Sequence, residues 1–198
     1  TTNEDAPVAF TLTASDVDSA NLSFTVVSGP SHGQVTPTGG PMTCGAGACT
    51  ANVTYTPVAN FNGLDSFSFT ASDGQLTSNI ATASITVSNV NDAPAANNIA
   101  VSSDEDSAIV ITLGVGDIDS ENLTIAIASG PSHGSLGAVS SPSCTTIPNS
   151  EGVFGSSCTA TVTYSPAANY NGPDSFTFKA NDGASDSNVA TVSITINP

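Results

Sequence analysis

The stretch Val189-Ala190-Thr191-Val192-Ser193-Ile194-Thr195-Ile196 decides the fold class. Apolar residues at 190, 192, 194 and 196 alternate with hydroxyl residues, and successive side chains of a strand point to opposite faces. This is the signature of a half-buried β-strand. The same alternation appears at Ile80 to Val87, an offset of 109 residues. Shorter runs repeat it: Leu22 to Val26, Val53 to Tyr55 and Phe67 to Phe69, then Ile109 to Leu113, Leu123 to Ile127, Val162 to Tyr164 and Phe176 to Phe178. Clusters of Gly, Pro, Asn and Asp punctuate these runs roughly every 8–12 residues, the spacing of an all-β sandwich. No segment carries a helical period of useful length.

The loops repeat as well as the strands. Asp16-Val17-Asp18-Ser19 returns as Asp117-Ile118-Asp119-Ser120, an offset of 101. Ser-Gly-Pro-Ser-His-Gly occurs at Ser28 to Gly33 and at Ser129 to Gly134. Asn60-Phe61-Asn62-Gly63 matches Asn169-Tyr170-Asn171-Gly172, and Ala71-Ser72-Asp73-Gly74 matches Ala180-Asn181-Asp182-Gly183, both at 109. The change of offset places an insertion of eight residues in the cysteine-bearing stretch between. A unit of this length is a whole domain rather than a solenoid turn. The expected organisation is two tandem Ig-like or cadherin-like Greek-key sandwiches, residues 1–91 and 92–198. Ser88 to Pro94 forms a short, stiff linker between them, because proline stops pairing and favours an extended backbone. Aligned at 101, Thr1 matches Ser102, so Asn98-Ile99-Ala100-Val101, the first strand of repeat two, has no counterpart in repeat one. Such an edge invites a strand from upstream or from another chain.

Charge excludes some partners. Seventeen Asp and Glu stand against one basic residue, Lys179, for a net charge of −16. A nucleic-acid binder needs clustered Lys and Arg, and an anionic membrane surface attracts the same residues. No apolar run approaches membrane-spanning length, and no signal peptide or anchor is recognisable, which reads as a mature fragment or part of a longer chain. Carboxylates in such number favour solubility through repulsion; in recurrent loops they also suit a hard cation held by oxygen.

Each repeat carries two cysteines just before a Thr-rich strand. Local disulfides, Cys44–Cys49 and Cys144–Cys158, are the simplest pairing; zinc would need thiolates from both domains without CxxC spacing. Disulfides imply an oxidising, extracellular location. His32 and His133 sit in identical Pro-Ser-His-Gly contexts among turn residues and read as structural. Duplication of every candidate site argues against a single catalytic centre, so no enzyme is expected.

The chain resembles cadherin-like tandem repeats of large bacterial surface proteins. The resemblance rests on Asn91-Asp92-Ala93-Pro94, similar to the cadherin linker; on Asp117-x-Asp119; on Ala180-x-Asp182-Gly183; and on Glu4 and Glu105 near the start of each repeat. It implies calcium ligands. Glu4 and Asp65 from repeat one, Asn91 and Asp92 from the linker, and Asp117, Asp119, Asn122 and Asp182 from repeat two would form an interdomain cage. Asp16, Asp18 and Asp73 would serve a preceding repeat. The sequence departs from the family pattern before the sixth strand, where Gly63-Leu64-Asp65 and Gly172-Pro173-Asp174 replace the usual glutamate motif. The alternative employment of Asp65 and Asp174 is a hydrogen-bonded turn at the start of a strand, and of the other loop aspartates an Asx turn.

The resemblance implies a calcium-rigidified stalk or adhesion segment, structural and binding rather than catalytic. Its partners would be neighbouring repeats, identical chains, or other surface proteins and glycans. A self-assembling filament or sheath with strand exchange is the alternative. An enzyme-associated carbohydrate module is disfavoured by the absence of Trp, since sugar platforms present exposed aromatics.

Overall fold

The computed structural model describes residues 1–45, 48–148 and 154–198. The chain divides into two compact units, Thr1–Val90 and Asn91–Pro198. Strands are the regular elements of both among the described residues.

The first unit contains β1 (Thr2–Asn3), β2 (Val8–Ala14), β3 (Ser23–Ser28), β4 (Gly33–Thr36), β5 (Gly39–Pro41), β6 (Thr43–Gly45), β7 (Ala48–Pro57), β8 (Gly63–Ser72) and β9 (Ala81–Ser88). One sheet has the order β1-β9-β8-β3-β5; the other is β2-β7-β4, with β6 on β7. The second unit contains β10 (Ala95–Ala96), β11 (Ile99–Asp104), β12 (Ile109–Asp117), β13 (Thr124–Ser129), β14 (Gly134–Leu136), β15 (Ser143–Pro148), β16 (Phe154–Pro166), β17 (Gly172–Asn181) and β18 (Ala190–Asn197). Its sheets are β11-β18-β17-β13 and β10-β12-β16-β14, with β15 on β16. Neighbours pair antiparallel except β1 on β9 and β11 on β18, which are parallel.

Alternation in sequence becomes alternation in burial. Along β18, Ala190, Val192, Ile194 and Ile196 are all buried, while Ser193 and Thr195 are exposed. They meet Phe176 and Phe178 of the neighbouring strand and Ile111, Leu113, Val115, Val162 and Tyr164 of the other sheet in one core. Fully burying each of the larger side chains contributes about 1.5–3 kcal/mol. The first unit builds the same core from Leu12, Val53, Tyr55, Phe67, Ile85 and Val87.

The start of the first unit corrects the expectation from alignment. Its counterpart of β11 is reduced rather than lost: Thr2 and Asn3 pair with Val87 and Ser88, as Ser103 and Asp104 pair with Ile196 and Asn197. Only the last two residues of that strand carry the parallel ladder in the first unit, where the second unit has six register pairs. A strand of two residues, Thr2–Asn3, is too short to show period-two alternation in the sequence.

The disulfides are Cys44–Cys49 and Cys144–Cys158, and among the described residues no cysteine is free. Each bridges the short strand of the insertion to the long strand beside it, β6 to β7 and β15 to β16. A cross-link restricts the unfolded chain more when it closes a longer loop. With a separation of 14 residues against 5, Cys144–Cys158 is the more stabilising bridge. Replacing Cys144 and Cys158 together by serine should cost about 3 kcal/mol in urea unfolding, and replacing Cys44 and Cys49 clearly less; equal losses would refute the loop-length account.

Candidate functional site

Two kinds of acidic group emerge, and they behave differently. The first is buried. Asp65 lies in β8 beneath the Pro-Ser-His-Gly turn and is only 7% exposed. Its carboxylate accepts hydrogen bonds from the backbone N–H groups of Ser31 (2.9 Å), His32 (3.0 Å) and Ser66 (2.8 Å) and from the Tyr55 hydroxyl (2.9 Å). Asp174 accepts the same four, from Ser132, His133, Ser175 and Tyr164, at 2.7–3.0 Å. Asp65, expected as a calcium ligand, therefore has both carboxylate oxygens accepting hydrogen bonds within its own unit. Burial by itself would raise both carboxyls, but these hydrogen bonds outweigh it and hold them below the ordinary carboxylate value. The partner tyrosines are pushed up, by burial first and by the neighbouring carboxylate second.

The histidines complete this arrangement. The His32 ring stacks on Phe61 and the His133 ring on Tyr170, each at 4.2 Å between centroids. The glycine that follows allows the turn to close. A Cβ on Gly33 or Gly134 would stand 2.5 Å from the tyrosine ring below, closer than any side chain can pack. The repeated Pro-Ser-His-Gly motif is therefore a structural clasp over tyrosine and aspartate.

The second kind of acidic group sits in the loops. Asp117 Oδ1 accepts from the N–H groups of Asp119 (3.0 Å) and Ser120 (2.8 Å), and Asp182 Oδ1 from Ala184 and Ser185 (both 2.6 Å). These are Asx turns, as in the first unit, where Asp16 caps Asp18 and Ser19 and Asp73 caps Gln75 and Leu76. In each case one carboxylate oxygen shapes the loop and the other is turned elsewhere.

In the second unit two of the loop aspartates, Asp182 and Asp119, accept from the linker residues that belong to it. Asp182 Oδ2 accepts from the Asn91 amide (2.9 Å), and Asp119 Oδ2 accepts from the Asp92 N–H (3.1 Å). Asp117 is 9% exposed, and its Oδ2 is buried without a hydrogen-bond partner among the described residues. Burial, then its contact with the Asp119 carboxylate, raise the Asp117 carboxyl above its usual range. Asn122 is exposed just before β13. Asp16 and Asp18 are exposed, and the field of Asp73 reaches Asp18.

The glutamates are placed within their own units. Glu4 is 5% exposed, and its Oε1 accepts from the Val90 N–H. Glu105 is half-buried, its N–H donating to the Asn197 carbonyl. Among the described residues, no group of three His, Cys, Asp or Glu side chains is clustered tightly enough to hold a metal by themselves. Any ion in the second unit would draw on amide and backbone oxygens as well.

Paired sheets, a clasp repeated in each unit and parallel terminal strands define a repeat of Ig type. The sequence matches the bacterial Ig domain model twice, over residues 1–86 and 91–195. The chain belongs to the bacterial Ig domain family. The likeness to cadherins read from the loops is thus one of motif within a bacterial Ig repeat. Comparison with the curated proteins gives no match. Among solved structures the chain is similar to an endo-fucoidan hydrolase of glycoside hydrolase family 107, with 21% identity and a TM-score of 0.36. The alignment covers 100% of this chain and 27% of that one. It is also similar to the mouse protocadherin PcdhgC3 EC1-3 (12%, TM-score 0.40, covering 87% and 54%). A third similarity is to the Yersinia pseudotuberculosis adhesin InvE (15%, TM-score 0.34, covering 98% and 56%). The chain spans about a quarter of the hydrolase and about half of the other two. The family match alone carries the assignment.

The depressed carboxyls of this bacterial Ig pair give a pH signature. A group whose pKa falls on folding stabilises the native state above its unfolded value, near 3.9 for Asp, and loses that contribution as pH falls through the folded value. Thermal unfolding followed from pH 7 to pH 3 should show Tm dropping below about pH 4. In Asp174→Asn the second unit should be less stable at pH 7 and its acid dependence flatter; an unchanged acid limb would show that Asp174 is not the group responsible.

Proposed function

We propose that the chain is a structural and adhesion segment of an extracellular repeat protein, rigidified by calcium at its acidic loops. The carrying observation is the division of labour in the aspartates: one oxygen of Asp117 and of Asp182 shapes the loop, and the Asp117 Oδ2 is buried with no hydrogen-bond partner among the described residues. A buried carboxylate oxygen without a donor is costly, and a hard cation is the partner that its charge favours.

The donor chemistry fits calcium, which takes six to eight oxygens from carboxylates, amide and backbone carbonyls at flexible geometry. Asp117, Asp119 and Asp182 would supply charge, and Asn91 and Asp92 would supply further oxygens. Bound calcium would neutralise the repulsion between Asp117 and Asp119 and tie the linker residues to the second unit. Asp16, Asp18 and Asp73 would do the corresponding work in the first unit, where their greater exposure predicts weaker binding. Glu4 and Glu105 remain proposed contributors, through their places at the start of each unit. Two disulfides support an oxidising, extracellular setting, and the family and the net charge suit a repeat that spaces or presents other domains.

The test is thermal unfolding after chelation and again in millimolar calcium, in the wild-type chain and in Asp119→Ala. Calcium should raise Tm in the first and have little effect in the second, since only ligands of the folded state stabilise. An equal shift in both, or none in either, would overturn the ligand assignment.

A further inference from the structure

The two units carry the same acidic loop, Asp-x-Asp-Ser, in different surroundings. In the second unit β12 runs on to Asp117, and its ladder with β16 continues from Val115↔Cys158 through Gly116↔Ser157 to Asp117↔Ser156. Among the described residues of the first unit, β2 pairs with β7 as far as Ala14↔Cys49, the match of Val115↔Cys158. Asp117 thus ends a strand, whereas Asp16 stands in a loop.

The insertion supplies the difference. β15 and β16 stay paired beyond the disulfide, from Thr145↔Ser157 to Pro148↔Phe154, and this end of β16 lies against the loop. Ser156 is 3% exposed, and its hydroxyl donates to the Ser120 carbonyl (2.6 Å). A Cβ on Gly155 would stand 2.5 Å from the Asp117 carbonyl oxygen and 3.0 Å from the Ile118 backbone, so the two backbones meet with no room for a side chain. Exposure follows from this contact. Asp117 is buried, its Oδ2 without a hydrogen-bond partner among the described residues, and Ile118, Asp119 and Ser120 are half-buried. Asp16, Val17 and Asp18 are all exposed. Counting back from the matching Cys158 and Cys49, Ala46 and Gly47 stand in place of Gly155 and Ser156. The first unit therefore has neither that glycine nor that hydroxyl at these positions.

We propose, on the reading that calcium is the ion of this loop, that the β15–β16 hairpin braces the site and that the Cys144–Cys158 disulfide controls it. Ser156 is the positioning residue. It fixes the Ser120 carbonyl, and the Ser120 N–H donates to Asp117 Oδ1, so the carboxylate is held in place before the ion arrives. A site ordered in advance loses less freedom on binding. An external dithiol reaches the bridge at Cys144, which is exposed, while Cys158 is fully buried. Exchange leaves the reductant as its own disulfide and places one hydrogen on each of Cys144 and Cys158. Without the bridge β15 is held on β16 by its ladder alone, the support of Ser156 loosens, and calcium affinity falls.

The experiment titrates calcium by calorimetry into the full chain, into Ser156→Ala, and into Cys44→Ser, Cys49→Ser, which keeps Cys144–Cys158 alone, before and after dithiothreitol. Ser156→Ala should weaken binding about fivefold through loss of one hydrogen bond. Reduction should weaken it at least as far, and reoxidation should restore it. Amide exchange without calcium should quicken at Asp119 and Ser120 in Ser156→Ala and keep its wild-type rate at Asp18 and Ser19, the same loop without the brace. Equal calcium affinity in all these chains would overturn the proposal alone, as would unchanged exchange at Asp119 and Ser120. Absence of calcium binding in every chain would overturn the calcium reading and the brace with it.

Discussion

An ionised aspartate held beneath a turn, against a buried tyrosine, is the constraint around which each unit is arranged. Tyr55 and Tyr164 are fully buried, and their hydroxyls need an acceptor deep in an apolar core. Asp65 and Asp174 supply it. A lone carboxylate there would be unstable, so the chain brings two backbone N–H groups of the Pro-Ser-His-Gly turn down onto it. The turn joins β3 to β4 in one unit and β13 to β14 in the other, and these strands lie in different sheets. The hydrogen bonds therefore tie the crossover between sheets to the central strands β8 and β17. Gly33 and Gly134 are required because a side chain would strike the tyrosine ring, and the stacked histidines cover the outside.

Much of the fold was legible because its signal is local. Period-two alternation at Val189 to Ile196 needs nothing beyond the pleat to be read, and the repeated loops pointed to units of domain length. Disulfide pairing followed from proximity in sequence. The role of Asp65 and Asp174 was less legible: a carboxylate before a strand looks alike whether it ligates a metal or accepts from a distant turn, and Ser31 is 34 residues away from Asp65. The recurrence of Tyr ten residues before that Asp was available as a signal, since Tyr55 to Asp65 and Tyr164 to Asp174 are equally spaced. The bonds between the Asn188 side chain and the Ala96 backbone left less trace still. They span 92 residues, and the asparagine lies in a stretch that reads as an ordinary loop.

The loop aspartates follow a different logic from the buried pair. Backbone donors from the same loop satisfy only one oxygen, because an Asx turn brings two N–H groups to a single atom. The second oxygen must look to solvent, to the linker or to a cation. In the first unit solvent suffices, and Asp16 is held below the ordinary carboxylate value by its own loop. In the second unit burial removes that option for Asp117, whose carboxyl is raised instead. The first aspartate of the same four-residue motif is thus held below its ordinary value at one place and above it at the other, with burial the leading cause of the rise at Asp117.

What covers each edge also separates the two units. Identical side chains, Asn79 and Asn188, stand at the same point of the same fold, and Asn188 holds the Ala96 backbone through both its oxygen and its amide. An exposed ladder edge is a hazard for any sheet protein, normally blunted by charge, proline or a covering segment. Here β9 presents Ala83-Ser84-Ile85-Thr86, uncharged and β-prone, flanked by half-buried aromatics. In the second unit the same edge is covered by Ile99 to Ser102, paired residue by residue with Val192 to Thr195.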